Sequence, residues 1–125
     1  MIIGYQLVKI DAQRNDSILP QDPIQINYKV STKNVGKDDN TKTLRFGFTY
    51  EVELKDSKDN KVGDILMEGS IIYTGNNIDD IYKTLSSGGK LDDDIQKEIV
   101  QGISNICILE AMQIAKQIQL PPLVK

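Results

Sequence analysis

The sequence predicts an α+β fold, a four-stranded antiparallel sheet followed by one long C-terminal helix packed on it, in a single domain spanning residues 1–125. Three observations predict it. Four stretches alternate apolar and polar residues with the period of two that puts successive side chains on opposite faces of a strand. Clusters of Asn, Asp, Gly and Pro separate those stretches. The last part of the chain carries Ile at helical spacing over some 26 residues, far longer than a strand.

The first strand is placed at about 4–14, where Val8, Ile10 and Ala12 alternate with Lys9, Asp11 and Gln13. Asn15 to Pro23 reads as a connection, because its two prolines, Pro20 and Pro23, cannot donate to a ladder; Ile18 and Leu19 are apolar exceptions on it. The second strand, about 24–33, sets Ile24, Ile26, Tyr28 and Val30 against Gln25, Asn27, Lys29 and Ser31. A polar loop follows from about Asn34 to Thr41. The third strand, about 43–55, has the clearest alternation, Leu44, Phe46, Phe48, Tyr50, Val52 and Leu54 against Arg45, Gly47, Thr49, Glu51 and Glu53, and is expected at the centre of the sheet. Turn residues over 56–61 close a hairpin onto the fourth strand, about 62–74, whose Ile65, Met67, Ile71 and Tyr73 share a face, with Leu66 and Ile72 on the other.

Residues 75–92 read as a linker holding one or two helical turns (Ile78, Ile81, Tyr82, Leu85), broken by Ser86-Ser87-Gly88-Gly89. Asp92, Asp93 and Asp94 then start a helix, about 93–119, since carboxylates cap free amides and suit the positive end of the dipole. Ile95, Ile99, Ile103, Ile106, Ile114 and Ile118, joined by Val100, Leu109 and Met112, form its apolar stripe, and Leu120-Pro121-Pro122 stops it. At 1.5 Å per residue such a helix spans about 39 Å, whereas four strands make a sheet only about 20 Å wide. The helix therefore overhangs its sheet unless it lies nearly along the strands. An overhang would make Ile99, Gly102, Ile103, Ile106 and Met112 contacts to a second copy, with Gly102 admitting a close neighbour.

Composition narrows the function. The 125 residues are 39% hydrophobic and 26% charged, ordinary for a folded domain, but two Phe, five Tyr and no Trp make the core thin, so association of subunits into a homo-oligomer is expected. A net charge of −3 without a Lys/Arg run argues against nucleic acid as a partner. No stretch is apolar enough for membrane insertion, the N-terminus does not read as a secretion signal, and the single Cys107 forms no intrachain disulfide; the expected location is cytoplasmic. Asn15-Asp16-Ser17 matches a glycosylation acceptor, which means little without a secretion signal.

The chain has no His, which removes the commonest general base and metal ligand. Cys107 lies in an apolar helix without the electropositive surroundings of a nucleophilic thiolate. Asp56 to Glu68 has the acidic density of a calcium loop, but Lys61 stands where Gly is needed and Met67 where the bidentate Glu is needed. Gly88-Gly89-Lys90 resembles the end of a phosphate loop, yet Thr84 replaces its first Gly and Leu91 its Ser or Thr. No catalytic residue, metal ligand or cofactor is therefore assigned, and the chain is not read as an enzyme.

Two surfaces remain as candidates. Phe46, Phe48, Tyr50, Tyr28 and Tyr73 are either core packing or the border of a groove for apolar peptide segments, to which adaptable Met67 and Met112 and the loop residues Ile18 and Leu19 would add. Glu51 and Glu53, with Glu68 across the hairpin, are a solvated sheet face, an acid/base pair or an acidic patch for a basic partner.

The C-terminal half resembles the SecB export-chaperone family. Glu68-Gly69-Ser70-Ile71-Ile72-Tyr73-Thr74-Gly75 resembles the family's last strand and the glycine leaving it, Asn105-Ile106-Cys107-Ile108-Leu109-Glu110-Ala111 its helix, and Leu120-Pro121-Pro122-Leu123 its segment after the helix. Tyr5 to Ala12 sits where the family's first strand would, and the element order agrees. The resemblance implies a holdase that binds unfolded or precursor polypeptides without ATP, commonly as a tetramer, delivering them to the SecA translocation motor through an acidic surface or, in some relatives, protecting an antitoxin. The second helix and acidic tail of bacterial SecB have no counterpart before Lys125, which implies a more open groove and weakens the expectation of a motor partner. Outside the resemblance stand an adaptor docking one folded basic partner through the acidic face, and a carrier of small apolar ligands between sheet and helix.

Overall fold

Six alternate residues of the third strand, Leu44 to Leu54, are each no more than 3% exposed, and the fold is arranged around that row. The computed structural model describes residues 1–17, 21 and 23–121. Its elements are β1 (Ile2–Arg14), β2 (Gln25–Asp38), β3 (Thr43–Lys55), β4 (Lys61–Thr74), α1 (Ile78–Ser86) and α2 (Asp93–Gln117). All strand pairs are antiparallel in the order β1-β4-β3-β2, so β3 and β4 are central and β1 and β2 are the edges. Both helices lie on one face; the other is open, with Leu66 and Ile72 among its polar residues.

Between β1 and β2, Gln21 is tied to the β3–β4 turn by Asp56. This carboxylate is only 4% exposed. It accepts hydrogen bonds from the amides of Asn60 (2.8 Å), Lys58 (3.0 Å) and Gln21 (3.4 Å), and from Asn60 Nδ2 at 3.5 Å. It thus shapes the β3–β4 turn, where Asp59 takes a left-handed φ of 63°, and holds Gln21 against it. Burial raises its pKa, but the hydrogen bonds from Asn60, Gln21 and Lys58 outweigh burial and hold it below the ordinary value. A carboxylate lowered in the folded state stabilises the fold above its unfolded pKa, near 3.8, and that stabilisation is lost as pH falls through the folded value. Asp56→Asn should therefore lower the thermal midpoint at neutral pH, and its deficit should narrow as the pH of the melts drops below about 3.8. A deficit independent of pH would contradict this role.

The strands are longer and less regular than their pattern predicts. Each of the edge strands is bulged, because a single residue opposes no partner. In β1, Ile2 pairs with Tyr73 and Gly4 with Ile72, leaving Ile3 over, and Leu7 pairs with Gly69 and Lys9 with Glu68, leaving Val8 as an extra residue, 74% exposed. The expected face of Val8, Ile10 and Ala12 is corrected accordingly: Ile10 and Ala12 share the helix side with Tyr5 and Leu7, and Val8 is expelled. In β2, Lys33 pairs with Gly47 and Val35 with Phe46, so the strand bulges at Asn34 and continues to Asp38 where a loop was expected. A further bulge in β4, between the pairs Leu54/Gly63 and Lys55/Lys61, adds Val62 to the buried core.

The α2 helix does not overhang. Near its start Glu98 accepts a hydrogen bond from the Tyr73 hydroxyl at the end of β4, and just past its end Leu120 packs over Gly63 at the start of β4. The helix therefore lies along the strands: 25 residues span about 37 Å against about 47 Å for the 14 residues of β4. Asp92 stands at the N-cap without a side-chain capping hydrogen bond, so Asp93 and Asp94 act on the helix dipole alone. The C-terminus closes in a Schellman motif, with Gln119 at φ 59° and the Leu120 amide donating to the Ala115 carbonyl at 2.8 Å.

The buried line on α2 is Ile99, Ile103, Cys107, Ala111 and Ala115. Steps of four residues rotate the contact by about 40° each, so the line winds away from the expected stripe. Ile106, Ile114 and Ile118 become half-buried flanks, while Leu109 is 63% and Met112 41% exposed. Three residues of the buried line, Cys107, Ala111 and Ala115, are small and at most 3% exposed, so little room is left between the helix and the sheet there.

Candidate functional site

A cleft of about 290 Å³ opens where β2, the start of β3, α1 and the start of α2 meet. Val35, Phe46, Leu85, Leu91 and Ile99 give it an apolar lining, with exposed Thr32, Lys33 and Gln96 also on its wall. Each wall has a local cause. The bulge at Asn34 turns Val35 to the helix side, opposite Phe46. In α1, Ile78 and Ile81 anchor the short helix in the core, and Leu85 follows at helical spacing. The Lys37 ammonium holds α1 from outside: it pairs with Asp79 and, at 3.2 Å, with Asp39, and stands 6.0 Å from the Tyr82 ring centre. Hydrogen bonding to the two carboxylates raises the Lys37 pKa, and the bond to Lys37 lowers that of Asp79.

The cleft continues along β2. Ile26, Tyr28, Val30 and Thr32 pair with the buried Leu54, Val52, Tyr50 and Phe48, which places all four on the helix side of an edge strand. Tyr28 remains 46% exposed, its ring tilted 45° to that of Tyr50 at 6.3 Å. The result is an apolar strip beside a strand whose outer edge pairs with no other strand among the described residues.

The sequence-derived peptide contacts divide. Tyr28 and Met112 are exposed, and Phe46 reaches the cleft. Phe48, Tyr50, Met67 and Tyr73 are corrected to core: each is at most 4% exposed. Ile18 and Leu19 lie outside the described residues. Val35, Leu85 and Leu91 escaped notice because a bulge and the docking of α1, neither visible in the alternation, bring them together.

Glu51, Glu53 and Glu68 do face the open side, but the surface is mixed in sign. Glu68 lies 3.7 Å from Lys33 and Glu53 3.5 Å from Lys55, and Lys29 is opposite Glu51 in the register. The helical contacts expected for a second copy are also corrected in part. Ile99 and Ile103 are at most 1% exposed within the chain's own core, and Gly102 abuts Ile2 of β1, where an added Cβ would come within 2.2 Å of Ile2 Cδ1. Ile106 is half-buried, leaving Met112 as the exposed member.

Among the described residues no group of three or more Cys, Asp and Glu is arranged to hold a metal. Burial, with a smaller effect of Glu110, pushes the Cys107 thiol up to about 12, so it is protonated at neutral pH. No helix among the described residues is long and apolar enough to cross a membrane.

A four-stranded antiparallel sheet with a long helix laid along one face, reached after a bulged fourth strand and a short helix, is a SecB-like α+β fold. The chain is similar in structure to the SecB-like chaperone Rv1957 of Mycobacterium tuberculosis, solved in complex with a ChAD peptide from the HigA1 antitoxin Rv1956. The TM-score is 0.57 at 12% sequence identity, over 98% of this chain and 86% of that one. No family model matches the sequence, and no curated protein matches it.

Proposed function

We propose that this chain is an ATP-independent holdase, a single SecB-like domain that binds extended apolar segments of unfolded or precursor polypeptides and carries out no catalysis. One observation carries the reading: a cleft with an apolar lining runs into an apolar strip beside an edge strand with exposed Tyr28. Such an edge offers main-chain hydrogen bonds to any sequence, and the strip offers burial to alternate side chains. The fold neighbour, solved with an antitoxin peptide, supports a polypeptide as the occupant.

Protection of an antitoxin is favoured over delivery to a translocation motor. The compared chaperone holds an antitoxin peptide, whereas the glutamates that would face a motor are interleaved here with lysines. The same mixed surface disfavours an adaptor for a basic partner. Exposed Ile3, Tyr5, Val8 and Ile10 on β1, and Leu109 and Met112 on α2, are the surfaces on which a cytoplasmic homo-oligomer would assemble.

The test is aggregation. Several unrelated unfolded proteins, diluted from denaturant, should scatter less light when this protein is present at about one chain per client, the stoichiometry of a holdase that binds without turnover. No suppression by the folded protein would exclude the reading.

A further inference from the structure

The β2 edge carries a charge that the rest of the chain does not. The chain has a net charge of −3, yet from Gln25 to Lys37 β2 contains Lys29, Lys33 and Lys37 and no Asp or Glu. Lys37 is engaged by Asp79 and Asp39, and Lys33 reaches over Gly47 toward Glu68. Lys29, midway along the edge, is exposed and forms no ion pair among the described residues. Its register partner Glu51 lies inward on β3, on the side away from the free edge.

We propose that this edge selects extended segments in which apolar residues alternate with Asp or Glu. This deepens the groove reading and rests on it. A strand added beside β2 lies about 4.8 Å away and alternates its side chains between the same two faces. On the helix side they meet Ile26, Tyr28 and Val30, which bury apolar groups. On the open side they stand next to Asn27, Lys29, Ser31 and Lys33. At that spacing a carboxylate is attracted to Lys29, and a second lysine is repelled. The open-face carboxylates of β3, Glu51 and Glu53, are one strand further away and screened by salt.

Edge lysines also discourage strand addition altogether, and the two roles give opposite results. Three capped, fluorescently labelled peptides of about nine residues, the length of β2 before its bulge, would carry Val and Leu at alternate positions with Glu, Ser or Lys between them. Fluorescence anisotropy should rank them Glu, Ser, Lys, with the Glu peptide bound about tenfold tighter than the Lys peptide at low salt. The gap should shrink at about 0.5 M salt. Lys29→Glu, an exposed substitution, should invert the order while leaving the circular dichroism unchanged.

Equal affinity for the three peptides would overturn the charge selection and leave the groove reading standing. Tighter binding of all three to Lys29→Ala would overturn it too, by showing that the lysine guards the edge. Self-association abolished by Lys29→Glu would put a second copy on the edge instead. If no peptide binds, the selection fails; if aggregation suppression is then also absent, the groove reading fails with it.

Discussion

Replacing Gly69 by Ala should cost more than about 3 kcal/mol, beyond the usual range for overpacking, because the obstruction is the backbone of β1. A Cβ at this position would lie 2.2 Å from the Gln6 carbonyl oxygen and 3.1 Å from the Leu7 Cα. Neither can rotate away, so β1 must separate from β4 at the point where Val8 already bulges. Out of a typical total of about 5–15 kcal/mol for a domain this size, that is a large fraction. Two other glycines provide the scale. At Gly102 the added methyl meets the tip of Ile2, a side chain that can change rotamer, so Gly102→Ala should cost less. At Gly36 nothing lies within 4 Å, and Gly36→Ala should be neutral or stabilising by up to about 1 kcal/mol through the unfolded chain. Urea denaturation of the three variants measures the order, and hydrogen exchange should find the Gly69→Ala loss concentrated in β1. Equal costs would mean that the close approach at Gly69 is not limiting.

The central sheet was readable because period-two alternation separates its faces so sharply. The alternate residues from Leu44 to Leu54 went wholly inward, and the turn after Lys55 followed from its Asp and Asn residues. The edges were not readable at the same depth. A bulge adds one residue and reverses which face the following residues occupy, yet Val8, Asn34 and Val62 look like ordinary members of the pattern. The site suffered most from this, since Val35 reaches the cleft only through the bulge at Asn34. Leu85 was visible as part of a helical turn, but its position over the cleft depends on the tertiary contacts of α1 with Lys37. Tyr28 and Met112 were named as candidates together with residues that the core absorbs, because composition cannot distinguish an aromatic residue on a central strand from one on an edge.

The helix offers the second large expected effect and the sharpest contrast between pattern and packing. Leu109 belongs to the apolar stripe that helical spacing draws, and Ala111 is one of the residues that spacing passes over. Structure reverses their importance: Leu109 is 63% exposed, while Ala111 is 0% exposed on the line along which α2 rests. Leu109→Ser should therefore change stability by no more than about 0.5 kcal/mol. Ala111→Leu, which replaces one good helix former by another and makes the position more apolar, inserts three carbons at a fully buried site and should cost about 1–3 kcal/mol. Ala115→Leu, one turn further on and 3% exposed, should behave like Ala111→Leu. Because the same line of contact seats Ile99 beside the cleft, lifting α2 should also weaken client holding out of proportion to the remaining folded fraction. Chemical denaturation fixes the stability order, and aggregation suppression measured on the folded Ala111→Leu protein separates a displaced helix from simple unfolding. If Leu109→Ser proved the costlier change, the winding contact line would be wrong and the straight stripe of large residues would be the face that packs.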